Sequence, residues 1–306
     1  MKELRLGGVL TALVTPFRED GGLDEAAYRS LVERQIAGGV SGLVPCGTTG
    51  ESATMTEQER ARVISLTVEV AAGRVPVIAG TGSNDTARTV RETRRAQEAG
   101  ADAALVVTPY YNKPTPTGLE KHYRTVADEG SLPVVVYNVP GRTGTNITPD
   151  VLARLWDHPR IIALKEAAAN LEQAQTILRD RPSRFAVLSG DDSWTLALMA
   201  LGAEGVVSVA SNEIPEIMAR LCEAALSGDW QRARSIHFRA LELMRANFLE
   251  SNPIPVKAAL ALMDLHPPVR EIYRLPLCPA RRETRQRVAE LLAGLGVPLR
   301  ALEEAR

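Results

Sequence analysis

A lysine at the end of an apolar run is the residue of this sequence best suited to covalent chemistry. Lys165 follows Ile161-Ile162-Ala163-Leu164, and strand alternation predicts that it shares the inward face with Ala163 and Ile161. Burial disfavours the ammonium form and leaves a neutral amine that can form an imine with a ketone. The alternative is structural, with Lys165 leaving the strand to pair with Glu166.

The lysine count makes this position more informative. Of the 36 basic residues only five are lysines, so arginine carries most of the positive charge. A lysine inside an apolar strand of such a chain therefore invites a chemical explanation, because the compact ammonium changes its pKa readily on burial and the guanidinium does not.

A turn rich in threonine follows another apolar run. Gly47-Thr48-Thr49-Gly50, called the threonine turn below, offers two hydroxyls and backbone N–H groups to a carboxylate. The alternative is a loop whose threonines cap the next helix. Glu51 could support the turn. We interpret the neighbouring Cys46 as a small core residue, because no histidine lies near it in sequence to activate a thiolate.

Tyrosine and arginine side chains also fall where apolar runs end. Three of the six tyrosines, Tyr110, Tyr111 and Tyr137, do so, and a phenol there can relay protons or simply fill the mouth of a barrel. Arg142, in Gly141-Arg142-Thr143-Gly144, could bind a carboxylate with its forked donors. A solvated loop arginine is the alternative.

Eight apolar runs separated by helical patterns must position these side chains. The expected strands are Val9–Val14, Leu43–Cys46, Val75–Ala79, Ala104–Val107, Val134–Tyr137, Ile161–Leu164, Phe185–Leu188 and Gly205–Val209. Strict alternation of strand and helix predicts a parallel sheet, and eight units predict an α/β protein of the closed (β/α)8 TIM-barrel type. A doubly wound open sheet is the second interpretation, weakened by the absence of a GxGxxG turn after the first strand.

Sequence signals also mark helix starts and a change of character after the barrel. Asp24, Thr56 with Glu59, and Thr148-Pro149 predict helix N-termini. We expect residues 1–228 to form the barrel that carries the active site. Residues 229–306 should form a C-terminal helical appendix, with helices around Trp230–Leu249, Val256–Leu265 and Arg282–Leu295.

Composition narrows the partners. The net charge is −1 with charges of both signs interleaved, which argues against nucleic acid and favours a small-molecule ligand. No apolar run approaches the roughly 18 residues of a membrane helix. The charged start of the chain favours a cytoplasmic location. Three dispersed cysteines and four dispersed histidines signal neither a disulfide framework nor a metal site.

Six motifs, taken in order, resemble one enzyme family. They are Gly47-Thr48-Thr49-Gly50-Glu51, Thr108-Pro109-Tyr110-Tyr111-Asn112, Tyr137-Asn138-Val139-Pro140-Gly141-Arg142-Thr143-Gly144, Lys165-Glu166-Ala167, Gly190-Asp191-Asp192 and Asn252-Pro253-Ile254-Pro255-Val256-Lys257. Their combination resembles the dihydrodipicolinate synthase and N-acetylneuraminate lyase superfamily, from about Gly8 to Leu295.

The resemblance implies catalytic roles for the same side chains. Lys165 would form the Schiff base with pyruvate, Tyr137 would move protons there, and Thr48 and Thr49 would hold the pyruvate carboxylate. It also implies a proton relay of Tyr137, Thr48 and Tyr111, in which Tyr111 reaches into the site of a neighbouring subunit. A tight dimer, and a homotetramer of two such dimers, follow from it.

The resemblance to the synthase branch rests on Arg142 and the paired threonines. It implies that Arg142 binds the carboxylate of L-aspartate 4-semialdehyde, that Gly190, Val207 and Asn252 line the pocket, and that no dissociable cofactor is needed. The reaction would belong to the diaminopimelate route to lysine. Alternatives are another pyruvate-dependent aldolase, acting on a sugar acid or on 4-hydroxy-2-oxoglutarate, or a non-catalytic barrel that binds a ligand.

Feedback by lysine is the last property that the resemblance addresses. Ser52, Ala53, Asn84 and Tyr110 match positions that line the effector site of inhibited relatives. Glu57, Arg60 and Arg88 replace two histidines and a glutamate of those relatives, and Arg88 would face the ammonium of the effector. We therefore expect an enzyme insensitive to lysine.

Overall fold

The computed structural model describes residues 4–300, where the chain alternates strands and helices. Residues 1–3, which belong to the charged start, and residues 301–306 of the tail lie outside this range. The eight strands are β1 (Gly8–Ala12), β2 (Gly42–Val44), β3 (Ile78–Gly80), β4 (Ala103–Val107), β5 (Val134–Asn138), β6 (Ile161–Glu166), β7 (Ala186–Ser189) and β8 (Gly205–Ser208).

Helices connect consecutive strands and continue after the last one. Those of the described residues are α1 (Glu25–Ala37), α2 (Glu57–Ala71), α3 (Thr86–Glu98), α4 (Pro116–Glu129), α5 (Pro140–Thr143), α6 (Pro149–Ala153), α7 (Leu171–Asp180), α8 (Thr195–Ala200), α9 (Pro215–Leu226), α10 (Trp230–Ala246), α11 (Ile254–Leu262) and α12 (Arg282–Gly294). Short 3-10 turns precede α2, α8 and α9.

The sheet closes into a barrel. The strands are parallel in the order β2-β1-β8-β7-β6-β5-β4-β3. The ends of this order meet through a parallel bridge between Leu43 and Val77, and Gly80 N donates to Pro45 O at 2.9 Å. The predicted TIM barrel is therefore confirmed, and the open doubly wound sheet is excluded.

Two apolar layers result from strand alternation. Side chains that point inward fill the barrel, among them Leu10, Val44, Ile78, Leu105 and Val135. Side chains that point outward pack against the surrounding helices in a larger cluster. An inward side chain at the carboxyl end of a strand therefore lies above a dry core and faces the open mouth.

The helix starts follow the predicted signals. Asp24 accepts a hydrogen bond from Ala27 N at 3.1 Å, and Thr56 and Glu59 form a reciprocal capping box at α2. α6 begins at Pro149 as expected, although the side chain of Thr148 makes no capping bond. Gly39, after α1, has φ +82, a conformation that glycine adopts without steric cost.

The third strand is shorter than predicted. The apolar run suggested Val75–Ala79, but β3 starts only at Ile78. Pro76 has no N–H to donate to a sheet, and it restricts the backbone of Val75 before it. Hydrophobicity alone therefore extended this strand too far toward its N-terminus.

The C-terminal helices come close to their predicted bounds and pack against the barrel. α10 packs against α9 and α12, and α11 lies against the 3-10 turn that follows β8. The predicted boundary after residue 228 falls in the turn between α9 and α10. None of the helices in residues 4–300 has the length and apolarity that crossing a membrane requires.

Candidate active site

Lys165 occupies the carboxyl end of β6, inside the barrel. It pairs in register with Tyr137 of β5, and Ala163 lies with the interior cluster as predicted. Ile161 does not, because the register shifts between the pairs Val134–Ile161 and Val135–Ala163. Ile161 packs in the outer cluster instead, so its predicted inward orientation was wrong.

The position and the lowered pKa of the Lys165 amine suit it to nucleophilic attack. The residue is 6% exposed, and its Nζ lies 4.1 Å from the centroid of the Tyr137 ring. Burial lowers the pKa of Lys165 from 10.5 to about 7, with the nearby Asp192 carboxylate opposing the shift and Arg142 adding to it. A substantial fraction of the amine is therefore neutral near neutral pH.

The ion pair between Lys165 and Glu166 is not formed. The Glu166 carboxylate accepts hydrogen bonds from Asn138 Nδ2 at 3.2 Å, Ala168 N at 2.6 Å and Gln173 Nε2 at 3.3 Å. Successive residues of a strand point to opposite faces, which separates the two side chains. The structural alternative for Lys165 was therefore wrong.

Tyr137 lies between Lys165 and the threonine turn. Its ring is buried, and burial raises the pKa of its phenol, while Arg142 and a hydrogen bond with the Thr48 side chain lower it. The phenol therefore stays protonated near neutral pH and is connected to a hydroxyl at the mouth of the barrel. This arrangement can pass a proton between the vicinity of Lys165 and Thr48.

The threonine turn is held from both sides. Thr49 Oγ1 accepts a hydrogen bond from Asn252 Nδ2 at 3.0 Å, and Thr15 Oγ1 donates to Gly50 O at 2.8 Å. The helix that follows is capped by Thr56, so the alternative of a helix-capping role for Thr48 and Thr49 was wrong. The turn leaves Thr48 exposed at the mouth of the barrel.

Arg142 lies on a short helix and not on the loop of the alternative interpretation. α5 begins with Pro140, whose fixed φ suits a first helical turn, and is followed by Gly144 with φ +68. Arg142 is exposed at the cleft, and its Nη2 donates to Asn252 O at 3.1 Å. Asn252 therefore links Arg142 to the threonine turn.

One cleft of about 440 Å³ opens at the carboxyl ends of the strands; Lys165 does not line it but places its Nζ against the ring of Tyr137, which does. Among the predicted site residues its wall includes Thr48, Tyr137, Arg142 and Asn252. A cleft of this size suits a small molecule.

The other predicted site residues do not line this cleft. Val207 is deeper, in the barrel interior. Gly190 N donates to Glu166 O at 2.7 Å, and a Cβ at Gly190 would lie 2.7 Å from Ala167 Cβ, so glycine allows this close approach. Tyr111 does not border the cleft. It is 89% exposed, with φ +73, and its proposed role requires a neighbouring subunit.

Asp192 matters to the site although no role was derived for it from the sequence. Asp192 is buried, accepts hydrogen bonds from Val209 N at 2.9 Å and Ala210 N at 3.0 Å, and is the main charge that favours the ammonium of Lys165. Cys46 is buried, as the sequence predicted for a small core residue, and burial raises the pKa of its thiol to about 12. Within residues 4–300 no cluster of three acidic, histidine or cysteine side chains could hold a metal ion.

Comparison with known proteins agrees with this geometry. The model of the dihydrodipicolinate synthetase family matches residues 5–295. A 4-hydroxy-tetrahydrodipicolinate synthase of Maridesulfovibrio salexigens is 49% identical over 291 residues, covering 95% of this chain and 98% of the relative.

Two solved structures are also similar to this chain. The crystal structure of dihydrodipicolinate synthase from Aquifex aeolicus has a TM-score of 0.93 and 44% identity, covering 97% of this chain and 100% of the other. The chloride-inhibited enzyme of Acinetobacter baumannii, solved in complex with pyruvate, has a TM-score of 0.92 and 40% identity, covering 96% and 100%. The chain belongs to the dihydrodipicolinate synthetase family.

Proposed function

We propose that this chain catalyses the 4-hydroxy-tetrahydrodipicolinate synthase reaction, the condensation of pyruvate with L-aspartate 4-semialdehyde in the diaminopimelate route to lysine. The observation that carries the proposal is Lys165, a buried amine with a pKa of about 7 that stands beside Tyr137 in the barrel. Family membership and relatives that bear the synthase name support the choice of reaction.

The first half of the reaction activates pyruvate. The neutral Lys165 amine attacks the ketone carbon, and loss of water yields an imine. Thr48 and Thr49 hold the pyruvate carboxylate, while the phenol of Tyr137 moves protons between the reacting centre and Thr48. Loss of a methyl proton then converts the imine to an enamine, a carbon nucleophile that needs no metal ion.

The second half joins the two substrates. The enamine attacks the aldehyde carbon of L-aspartate 4-semialdehyde, whose carboxylate is bound by Arg142. The amino group of the same substrate then attacks the imine carbon, which closes the ring and releases Lys165 as a free amine. Gly190, Val207 and Asn252 shape the pocket around these intermediates.

We also propose that Tyr111 completes the relay in the site of a neighbouring subunit, within a tight dimer that pairs again into a homotetramer. Its 89% exposure beside the mouth of its own barrel supports this role. Mixing inactive Lys165→Met subunits with impaired Tyr111→Phe subunits should restore activity, because some sites then receive both native residues. No recovery in mixtures shown to exchange subunits would contradict a shared site.

Borohydride trapping tests the imine directly. Reduction in the presence of pyruvate should add a pyruvyl group to Lys165, and mass spectrometry of the digested protein locates it. Labelling at Lys257 instead, or at neither lysine, would overturn the assignment. Condensation assays with L-aspartate 4-semialdehyde, N-acetylmannosamine and glyoxylate separate the synthase from the sugar-acid and 4-hydroxy-2-oxoglutarate aldolases, and a protein inactive with all three would be a binding protein.

A cytoplasmic location is part of the proposal. The three cysteines are free thiols, and two of them are buried. Unpaired cysteines are typical of proteins of reducing compartments. Fractionation of cells that express the tagged chain would test the location.

A further inference from the structure

A second buried lysine lies close to the site and takes no part in the proposed chemistry. Lys257, on α11, places its Nζ 2.5 Å from Glu51 Oε1, and the two side chains are 0% and 1% exposed. The rings of Phe17 and Tyr273 lie 4.2 Å and 5.1 Å from the ammonium. Burying an ion pair costs desolvation energy, so replacing both residues by hydrophobic ones of similar size often leaves a protein equally stable or more stable. Stability alone therefore does not explain this pair.

The acidic member of this pair is joined to the threonine turn by one peptide bond. Glu51 directly follows Gly50, has φ +54, and donates its N–H to Thr48 O at 3.1 Å. A residue with a side chain keeps such a left-handed backbone only when its surroundings hold it there. The contacts of the Glu51 carboxylate are therefore contacts that hold the end of the turn.

The basic member is joined to the other side of the same cleft. Lys257 lies in the first turn of α11, five residues after Asn252. Asn252 binds both Thr49 Oγ1 and Arg142. Tyr273 OH donates to Ile254 O at 2.7 Å and fixes the start of α11 from outside. The contact of Lys257 with Glu51 therefore sets the position of α11, and with it the position at which Asn252 contacts the threonine turn.

We propose that the Lys257–Glu51 ion pair is a positioning device that fixes the threonine turn and Asn252 relative to each other, so that the hydroxyls of Thr48 and Thr49 meet the carboxylate of pyruvate. The inference rests on the proposed function. It assigns positioning roles to both residues and makes the C-terminal region a working part of the active site.

Neutral replacement of both partners separates positioning from stability. Lys257→Met alone leaves Glu51 buried without its partner and should destabilise the protein. The double variant Lys257→Met with Glu51→Gln removes both charges, and its melting temperature should return close to that of the wild type. Its turn is no longer drawn to α11, so pyruvate binding should stay impaired.

The readout is the pyruvate concentration that gives half-maximal borohydride trapping at Lys165. A misplacement of about 1 Å can reduce reaction efficiency by about a hundredfold, so a rise of about tenfold or more is expected in the single and the double variant. The matched control is Arg181→Met, which breaks the ion pair of Arg181 with Glu204, formed at 2.7 Å at the amino ends of β7 and β8. It should lower the melting temperature and leave half-saturation unchanged.

Wild-type half-saturation in the double variant would overturn the positioning role, as would an equal rise in the Arg181→Met control. If the variants that carry Lys257→Met do not fold, half-saturation is measured in Glu51→Gln, which keeps the size of the side chain. The same rise of about tenfold or more is expected there, and an unchanged value would overturn the proposal. A wild-type protein that traps no pyruvate would refute the proposed function itself, which is a different result from trapping that the variants leave unchanged.

Discussion

Replacing Lys165, the proposed nucleophile, should make the folded protein more stable. The unfolded chain holds the Lys165 ammonium with an ordinary pKa of 10.5, whereas burial lowers the folded-state pKa to about 7. At about 1.4 kcal/mol per pKa unit, the folded state forfeits roughly 5 kcal/mol below pH 7. Lys165→Met keeps similar volume, carries no charge and escapes this penalty, so its free energy of unfolding at pH 7 should exceed that of the wild type by roughly 4 to 5 kcal/mol.

The pH dependence distinguishes this cause from better packing. Between about pH 7 and 10.5 the unfolded chain binds more protons at Lys165 than the folded protein, so the stability of the wild type rises with pH across that window. The advantage of Lys165→Met should therefore shrink to about 1 kcal/mol at pH 10.

Urea unfolding at pH 7 and pH 10 measures both values, at equal protein concentration. Lys121→Met, at an exposed position of α4, is the matched control and should match the wild type at both pH values. A less stable Lys165→Met variant, or an advantage that does not change with pH, would refute the reasoning.

Three further predictions concern catalysis. Arg142→Ala should lower kcat/KM for L-aspartate 4-semialdehyde, through a loss of about 1.5 to 3 kcal/mol of transition-state binding energy, and leave pyruvate trapping nearly unchanged. Equal losses for both substrates would indicate a structural role for Arg142. The kcat/KM for pyruvate should rise with pH through about 7 and then level off, since the neutral Lys165 amine is the proposed nucleophile; a profile flat from pH 5 to 9 would contradict this role. Rates at saturating pyruvate should not respond to millimolar L-lysine, because Arg88 and Tyr110 both line the cleft and the Arg88 cation would face the ammonium of the effector. Glu57 cannot compensate, since it is already paired with Arg95. Inhibition relieved by Tyr110→Phe would show a working effector site.

Much of the site was predictable because it depends on local patterns. Lys165 was found from an apolar run that ends in a lysine, and the threonine turn and Arg142 from polar residues that follow such runs. Parallel strands of a barrel bring all their carboxyl ends to one face, so sequence order was enough to gather these residues at one mouth. Local alternation failed only where pairing between strands intervenes, as at Ile161, where the register of β6 against β5 shifts.

Sequence by itself determined the fold class, and it singled out the proposed nucleophile and four of the residues that line the cleft. The tertiary structure alone decided the pairing of charges over long separations. Glu51 and Lys257 are 206 residues apart and meet at 2.5 Å, Lys165 turns away from its neighbour Glu166, and Asp192 acts on the pKa of Lys165 from another strand end. The physical reason is that periodicity encodes which face a side chain takes, while the partner it meets there depends on how separate elements pack.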